Sequence, residues 1–453
     1  MLSAQLKRNG HFVEVFINDF SDLFKALRRK EFDLVCFTMM SNDVDWGLKN
    51  ARRIKEIDSS MPIAVGGSHT TFFPEFIYNK EIDIICIGEG DKAVVDLAHA
   101  LDNKEDYSRI NNLIVKDRDN NITRNILNPL IEDLDSLPFC DRQIYQKYSY
   151  FRKCAITNII ASRGCPYNCS FCFNHQYKAL YKSNRFRMKS PENIIDEVKE
   201  IQRQEKRIGL LNFVDSTLNL NMGWCEKFFK KYKEELNVDF TCNIAAGLIN
   251  DRMIDIIAEI GRCKSVRFAI EVGSEKLRKE VLLKNVSNKR LIEAANLLRK
   301  HQIPIYVYLM FGLPSETEDD ALQTIGLTQS VKPAFVNSAV FSPYRGLNIT
   351  KYAIENNYMT EDDLKKLDDP KYSRLDSVLK LKDINAILNI CYFSLAMIHF
   401  PWTERFLMKL VHIRRNRLFK LFFLVSHFFQ TRKFVDIGFF RSLCEGFYHR
   451  IES

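Results

Sequence analysis

The chain has 453 residues, 46% hydrophobic and 27% charged, with a formal charge of +9. That length exceeds one small core and predicts a globular protein of two or three domains. The start, MLSAQLKRNGHFVEVF, lacks the features of a signal peptide, and no run approaches about 20 apolar residues, so a cytoplasmic chain with reduced cysteines and no spanning helix is expected.

In the first domain, FVEVFI, FDLVCFTMM, PIAVGGS and IDIICIGEG read as buried strands, and DVDWGLKNARRIKEI carries helical spacing. Strands alternating with helices predict a Rossmann-like parallel sheet covered on both faces. Ligands of such sheets sit at the carboxyl ends of the strands, where Ser41, Gly66, Gly67, Ser68, His69, Gly88, Glu89 and Gly90 fall. The chain opens on a helix, MLSAQLKRNG with Gly10 as its C-cap, so the usual first strand of such a domain is expected to be lacking. The domain is set at 1–128, and the proline-bearing stretch 129–150 reads as a linker.

A second alternating series fills 151–345. Its candidate strands are AITNIIAS, GLLNFVDS, VDFTCNIAAG, SVRFAIEVGS, PIYVYLMFGLP and AFVNSAVFSPY, with helices such as SPENIIDEVKEIQRQ and NKRLIEAANLLRKH between them. Six strand-helix repeats are two short of a closed barrel, so a partial (β/α)6 TIM barrel is predicted, its site at the C-terminal strand ends. From 346 to 453 helix takes over. LFKLFFLVSHFF, beside Arg414, Arg415, Arg417 and Lys420, is readable as a helix packed over the barrel, the favoured reading, or as one lying on an anionic membrane.

After the first barrel strand, ASRGCPYNCSFCFNH places Cys165, Cys169 and Cys172 in the spacing C-x3-C-x2-C. Structural zinc sites and ordinary 4Fe-4S clusters take four ligands, and no fourth cysteine follows nearby. His175 lies too close to Cys172 for the usual zinc-finger pattern. Cys154 begins the strand, away from its cluster-bearing end, and Cys36, Cys86, Cys140, Cys225, Cys242, Cys263, Cys391 and Cys444 read as core or surface thiols.

GCPYNCSFCF, with Phe171 before the last cysteine, resembles the signature of the radical S-adenosylmethionine (SAM) enzymes. The resemblance implies a 4Fe-4S cluster on the three cysteines whose open iron chelates SAM and splits it to methionine and a 5′-deoxyadenosyl radical. FVDS, FAIEVGSE and FGLPSET resemble the family's strand-end motifs, which implies SAM contacts at Phe171, Asp215, Ser216, Glu271 and Gly312. AVGGSHTTFFPE and IGEGD resemble the cobalamin-binding domain of one subclass, implying cobalamin contacts along the first domain's strand ends, although the D-x-H-x-x-G motif is absent.

The implied function is a cobalamin-dependent radical SAM enzyme, a C-methyltransferase first, with a radical SAM cyclase or oxidoreductase as the alternative. A non-catalytic metal- or nucleic-acid-binding protein is the alternative of another class, weakened because no aromatic-basic interleaving of an RNA-binding sheet appears. Expected partners are a small, apolar substrate, an electron donor such as flavodoxin or ferredoxin, and a peripheral membrane contact through the C-terminal region. Tyr344 and Cys242 are candidates for passing a hydrogen atom to product.

Overall fold

The computed structural model describes residues 1–435 except 18–19, 155, 205–207 and 369–371; Ala155 of the first barrel strand, Cys444 and the rest of 436–453 lie outside the described residues. Two compact units result: Met1–Cys154 with Gln176–Ser183, and Ala155–His175 with Asn184 onward.

In the first unit, β1 (Val35–Thr38), β2 (Ile63–Gly66) and β3 (Ile84–Cys86) pair in parallel, and β4 (Leu113–Lys116) and β5 (Ile122–Arg124) continue the sheet antiparallel. The sheet is therefore mixed where a parallel one was expected. A short turn joins β4 to β5, and antiparallel neighbours need no crossover helix. Side chains alternate across β2: Ile63 and Val65 pack with Phe24, Leu27 and Ile54, while Ala64 packs with Ala93 and Leu97 on the other face.

Two expectations for this unit change. FVEVFI forms no strand, because Tyr148 donates its hydroxyl to the Val15 carbonyl at 2.9 Å and accepts the Ile17 amide at 3.0 Å. One side chain thus satisfies backbone groups that a ladder would otherwise use. The stretch 129–150, read as a linker, belongs to this unit. Ile131 N donates to Glu89, and Asp141 receives Ser3 and pairs with Lys7.

In the second unit, β6 (Ile156–Ile159) is followed by a two-stranded ribbon, β7 (Ser162–Arg163) with β8 (Arg187–Met188). Then come β9 (Leu210–Phe213), β10 (Phe240–Asn243), β11 (Cys263–Glu271), β12 (Ile305–Phe311) and β13 (Phe335–Val340). The large sheet runs β13-β12-β11-β10-β9-β6, all parallel and in sequence order, the open partial barrel that the repeats predict. Helix starts between these strands follow from local chemistry. Asn221, Asn250, Ser274 and Ser287 each accept a first-turn amide, and Thr317 forms a capping box with Asp320.

Where β11 leaves the sheet, the chain turns through Glu271–Gly273 over a wholly buried arginine. Arg278 donates to the carbonyls of Ile270, Val272, Gly273 and Val286. Burial lowers its pKa to about 10, so it stays protonated at neutral pH. Gly273 is required here, since a Cβ would stand 2.3 Å from the Gln323 backbone.

The helix Ile384–His399 is buried along most of its length and joins the barrel core. Helices Glu404–Val411 and Arg417–Val435 follow it. Among the described residues no helix is long and apolar enough to cross a membrane.

Arg278→Met would remove the donor that serves four backbone carbonyls, of which Ile270 keeps the Val272 amide and Gly273 keeps Asn288 Nδ2, while Val272 and Val286 lose their partner. Urea unfolding followed by circular dichroism is expected to show a loss of about 3 kcal/mol or more in the second unit.

Candidate functional site

The cysteine loop is an insertion between the two strands of the β7–β8 ribbon, whose pairing of Ser162 with Met188 closes its base. Gly164 sets its entry: φ is +93°, and a Cβ would lie 2.8 Å from the Arg185 carbonyl oxygen. Ser170, between the last two cysteines, is buried and holds the loop from three sides. Its hydroxyl donates to Val281 O at 2.5 Å, its amide to Leu282 O at 3.1 Å, and its carbonyl accepts Ile349 N at 3.2 Å.

The thiols sit close enough that Cys169 is raised by Cys172 and Cys165, and Cys172 by Cys165, with burial the larger cause in both. Burial pushes the Cys169 thiol up to about 11 while the Lys284 ammonium pulls it back. Among the described residues no three Cys, His, Asp or Glu side chains converge as they would on one metal ion. At the end of the loop, both ring nitrogens of His175 are shut from solvent and make no hydrogen bond, as where a further group completes the site.

The barrel-side residues named from the sequence divide into frame and opening. Asp215 is frame: its buried carboxylate accepts the Ala161 amide at 3.0 Å and the Ser162 hydroxyl at 2.5 Å, tying the tip of β9 to that of β6. Burial raises its pKa, and these bonds oppose the rise. Ser216 is exposed and accepts Asn174 Nδ2 at 3.3 Å, and the same amide lies 3.5 Å from Cys172 Sγ. Asn174 therefore joins the cysteine loop to the end of β9. Phe171 packs partly buried on the barrel core, and the Phe173 ring lies tilted 6.3 Å from that of Tyr344.

Glu271 is buried, with Lys284 Nζ 3.4 Å from its carboxylate and 2.7 Å from the Ala269 carbonyl. The backbone φ of Glu271 is +63°, unusual for a residue with a Cβ, and the β11–β12 register slips there. Strain held beside the thiols is typical of a functional position. Gly312, also at positive φ (+80°), sends its amide to Glu316 Oε2, which also takes the Leu313 amide at 2.8 Å. Cys242 lies wholly buried in the barrel core, its thiol pushed up to about 12, a poor place from which to pass a hydrogen atom.

In the first unit, Ser41 and His69 meet, Oγ to Nδ1 3.2 Å, beyond the ends of β1 and β2. The glycines there serve the chain itself. A Cβ on Gly67 would lie 2.6 Å from the Met39 carbonyl, and one on Gly88 would lie 2.0 Å from the Tyr181 hydroxyl. Gly66 has its nearest neighbour at 3.7 Å and keeps room on its open side. Tyr181 also accepts the Glu89 amide at 2.9 Å. The Glu89 side chain receives Ile131 N, and Ser68 begins the short helix Ser68–Phe72 behind Gly67. Gly90 precedes the helix Asp91–Asn103.

Ser170, Asn174, Lys284 and Glu316 escape a sequence reading because their partners are distant or on loops. Glu316 alone leaves a local trace, a carboxylate three residues after Leu313 in a glycine-proline turn.

Comparison with known proteins agrees with this geometry. The Radical SAM superfamily model matches residues 159–328 and the B12 binding domain model residues 1–98. The chain is 26% identical over 405 residues to an uncharacterized methyltransferase of Pyrococcus horikoshii, covering 86% of this chain and 85% of that one. It is 25% identical over 365 residues to the anaerobic magnesium-protoporphyrin IX monomethyl ester cyclase of Rubrivivax gelatinosus, covering 76% of this chain and 63% of that one. In fold it resembles the radical SAM methyltransferase TsrM of Kitasatospora setae, solved with cobalamin and a 4Fe-4S cluster, at a TM-score of 0.63 and 17% identity, over 78% and 71% of the two chains.

Two outcomes follow from the site. Ser170→Ala removes the donor to Val281 O, and iron retained after desalting is expected to fall roughly tenfold under chelator challenge, while alanine at Cys165, Cys169 or Cys172 leaves little iron at all. Burial raises the Glu316 pKa from 4.5 to about 8, so the folded state holds a proton there that the unfolded chain has released. Its contribution to stability is full below 4.5 and declines as pH rises to about 8, at up to about 1.4 kcal/mol per pH unit. Urea midpoints of the parent measured against Glu316→Gln between these limits should show that slope in the difference. The three-thiol loop at the first strand end, the six-stranded open barrel and both family matches lead to one assignment: the chain belongs to the radical SAM superfamily, in the group with an N-terminal B12-binding domain, and its cofactors are a 4Fe-4S cluster, SAM and cobalamin.

Proposed function

We propose that this cobalamin-dependent radical SAM enzyme is a C-methyltransferase. The observation that carries the reading is the reach of the match to the Pyrococcus horikoshii methyltransferase, which spans 86% of this chain and so both units. When bound, the cluster and SAM supply radical chemistry and cobalamin supplies a methyl carrier.

The chain's own residues bind and orient. Cys165, Cys169 and Cys172 would hold the cluster, with Asn174 fixing the Cys172 side of the loop against Ser216. The Glu271–Lys284 pair sets the charge beside the thiols: the ammonium favours the thiolate that a metal needs, and the carboxylate keeps that ammonium in place. Glu316 holds the Gly312–Leu313 turn, so the end of β12 would present a fixed edge to SAM. Phe171 and Phe173 line the loop with apolar surface that limits water. In the first unit, Ser41, Gly66, Gly67, Ser68, His69, Gly88, Glu89 and Gly90 mark the strand ends where cobalamin would sit. The Ser41–His69 contact gives that rim a polar group, and Gly66, whose nearest neighbour stands 3.7 Å away, would leave room for the cofactor beside the backbone. An electron donor of the flavodoxin or ferredoxin kind and a small, apolar substrate complete the reading.

A second reading, a radical SAM cyclase, rests on the match to the Rubrivivax gelatinosus cyclase. Anaerobic turnover with methyl-labelled SAM separates the two. A methyltransferase yields S-adenosylhomocysteine together with 5′-deoxyadenosine and puts label in the product. A cyclase yields 5′-deoxyadenosine with no stoichiometric S-adenosylhomocysteine, an outcome that would remove the methyltransferase reading.

A further inference from the structure

The C-terminal helix Arg417–Val435 is apolar on two opposite faces. One is accounted for. Phe419 meets Phe393 at 4.9 Å, Phe423 meets Tyr392 at 5.9 Å, and the Gln430 amide pairs with both the N–H and the carbonyl of Val336 on the edge strand β13. The other face carries Leu418, Leu421, Phe422, Val425 and Phe429, all exposed, Leu418 at 73%. At 3.6 residues per turn these five fall within an arc of about 100°, a continuous exposed stripe whose border residue Phe422 also meets Phe393 of the core helix at 5.7 Å. A helix apolar all round is normally covered all round, and this one is covered on one side.

The surroundings specify what would cover it. Residues 400–420 hold six Lys or Arg and one carboxylate, Glu404, which is engaged by Gln329. Asp376 pairs with both Arg415 and Lys420, one negative charge between two cations. Arg414 and Arg417 are exposed and form no ion pair among the described residues. They flank a cavity of about 350 Å3 at the start of the helix, lined also by Asp376, Asn385, Arg415 and Lys420. Near the far end, His399 contacts Gln430 at 3.4 Å on the covered face, and Phe400 and Trp402, which follow His399 in sequence, are exposed, Trp402 at 80%. Phe406, also exposed, sits between Arg405 and Lys409 in sequence on the next helix.

We propose that this protein docks on an anionic lipid surface, laying the Leu418–Phe429 stripe into the acyl boundary with Trp402 and Arg414 and Arg417 at the headgroup level. The chemistry is that of an interfacial helix: apolar area enters the bilayer edge, an indole sits at the interface, and guanidinium groups meet lipid phosphates. A second copy of this chain would bring its own unpaired arginines to the same face, so charge favours the lipid.

The test is flotation of the cofactor-loaded full chain with vesicles of equal parts phosphatidylglycerol and phosphatidylcholine, and with phosphatidylcholine alone. The protein should float with the first and stay behind with the second. Leu421→Gln/Val425→Gln/Phe429→Gln should weaken partitioning at least about tenfold, and Arg414→Gln/Arg417→Gln about tenfold at low salt with little effect at high salt. Both variants should keep parental iron content and urea midpoint. Failure to float with the mixed vesicles at low salt overturns the proposal. So does flotation unaltered in the stripe variant, or a dimer in sedimentation velocity that this variant dissociates. A stripe variant that loses urea stability while still floating would show the stripe to be covered by the chain itself, and also overturns it.

Discussion

A loop that must carry three thiols to one cluster has to be held by something other than the cluster. Here the hydroxyl of Ser170 gives that hold, donated to the Val281 carbonyl in a buried setting, with the Ser170 amide and carbonyl engaged at Leu282 and Ile349. The residues that receive it follow β11, the strand ending in the strained Glu271. A serine between cysteines thereby couples the metal loop to the opposite side of the barrel rim, and the position of the thiols inherits the rigidity of the sheet. A buried hydroxyl and amide are costly to leave unpaired, which makes this register of the loop much more favourable than its neighbours.

The same division of labour runs around the rim. Asp215, Glu316 and Arg278 spend their polar groups on backbone, and so fix the ends of β9, β12 and β11. Groups nearer the opening, Ser216, Asn174 and Lys284, contact one another or the cysteines. Carboxyl groups and a guanidinium deep in the frame meet a desolvation penalty that hydrogen bonds to backbone oppose, and the result is a set of strand ends with little freedom to shift. For chemistry that begins with a reactive radical, such fixed positioning is the protein's main contribution.

The C-terminal region answers two demands at once. Its first long helix supplies core to the barrel, and the last one closes the edge of β13 through the Gln430 amide, so the open sheet does not present a free strand edge at Val336. The outer face of that last helix is left apolar and bordered by arginines. A helix serving only to cover the barrel would gain nothing from that stripe, and the surface it offers is the kind that lipids cover.

Much was legible in the residues alone. The spacing of Cys165, Cys169 and Cys172 and the six strand-helix repeats are set by local chemistry, because ligand spacing and side-chain period act within a few residues. What local pattern could not decide was where long-range partners stand. FVEVFI has the alternation of a strand, yet Tyr148, more than a hundred residues on, takes its backbone groups. Gly88 reads as an opening for a ligand, yet the Tyr181 hydroxyl fills the space beside it. Ser170, Lys284 and Glu316 look ordinary in sequence and acquire their roles only from what the fold brings against them. The sequence by itself determined which elements form and that three thiols await iron; the tertiary structure decided which polar groups frame the site and which remain open to it, since buried hydrogen bonds and desolvation depend on neighbours distant along the chain.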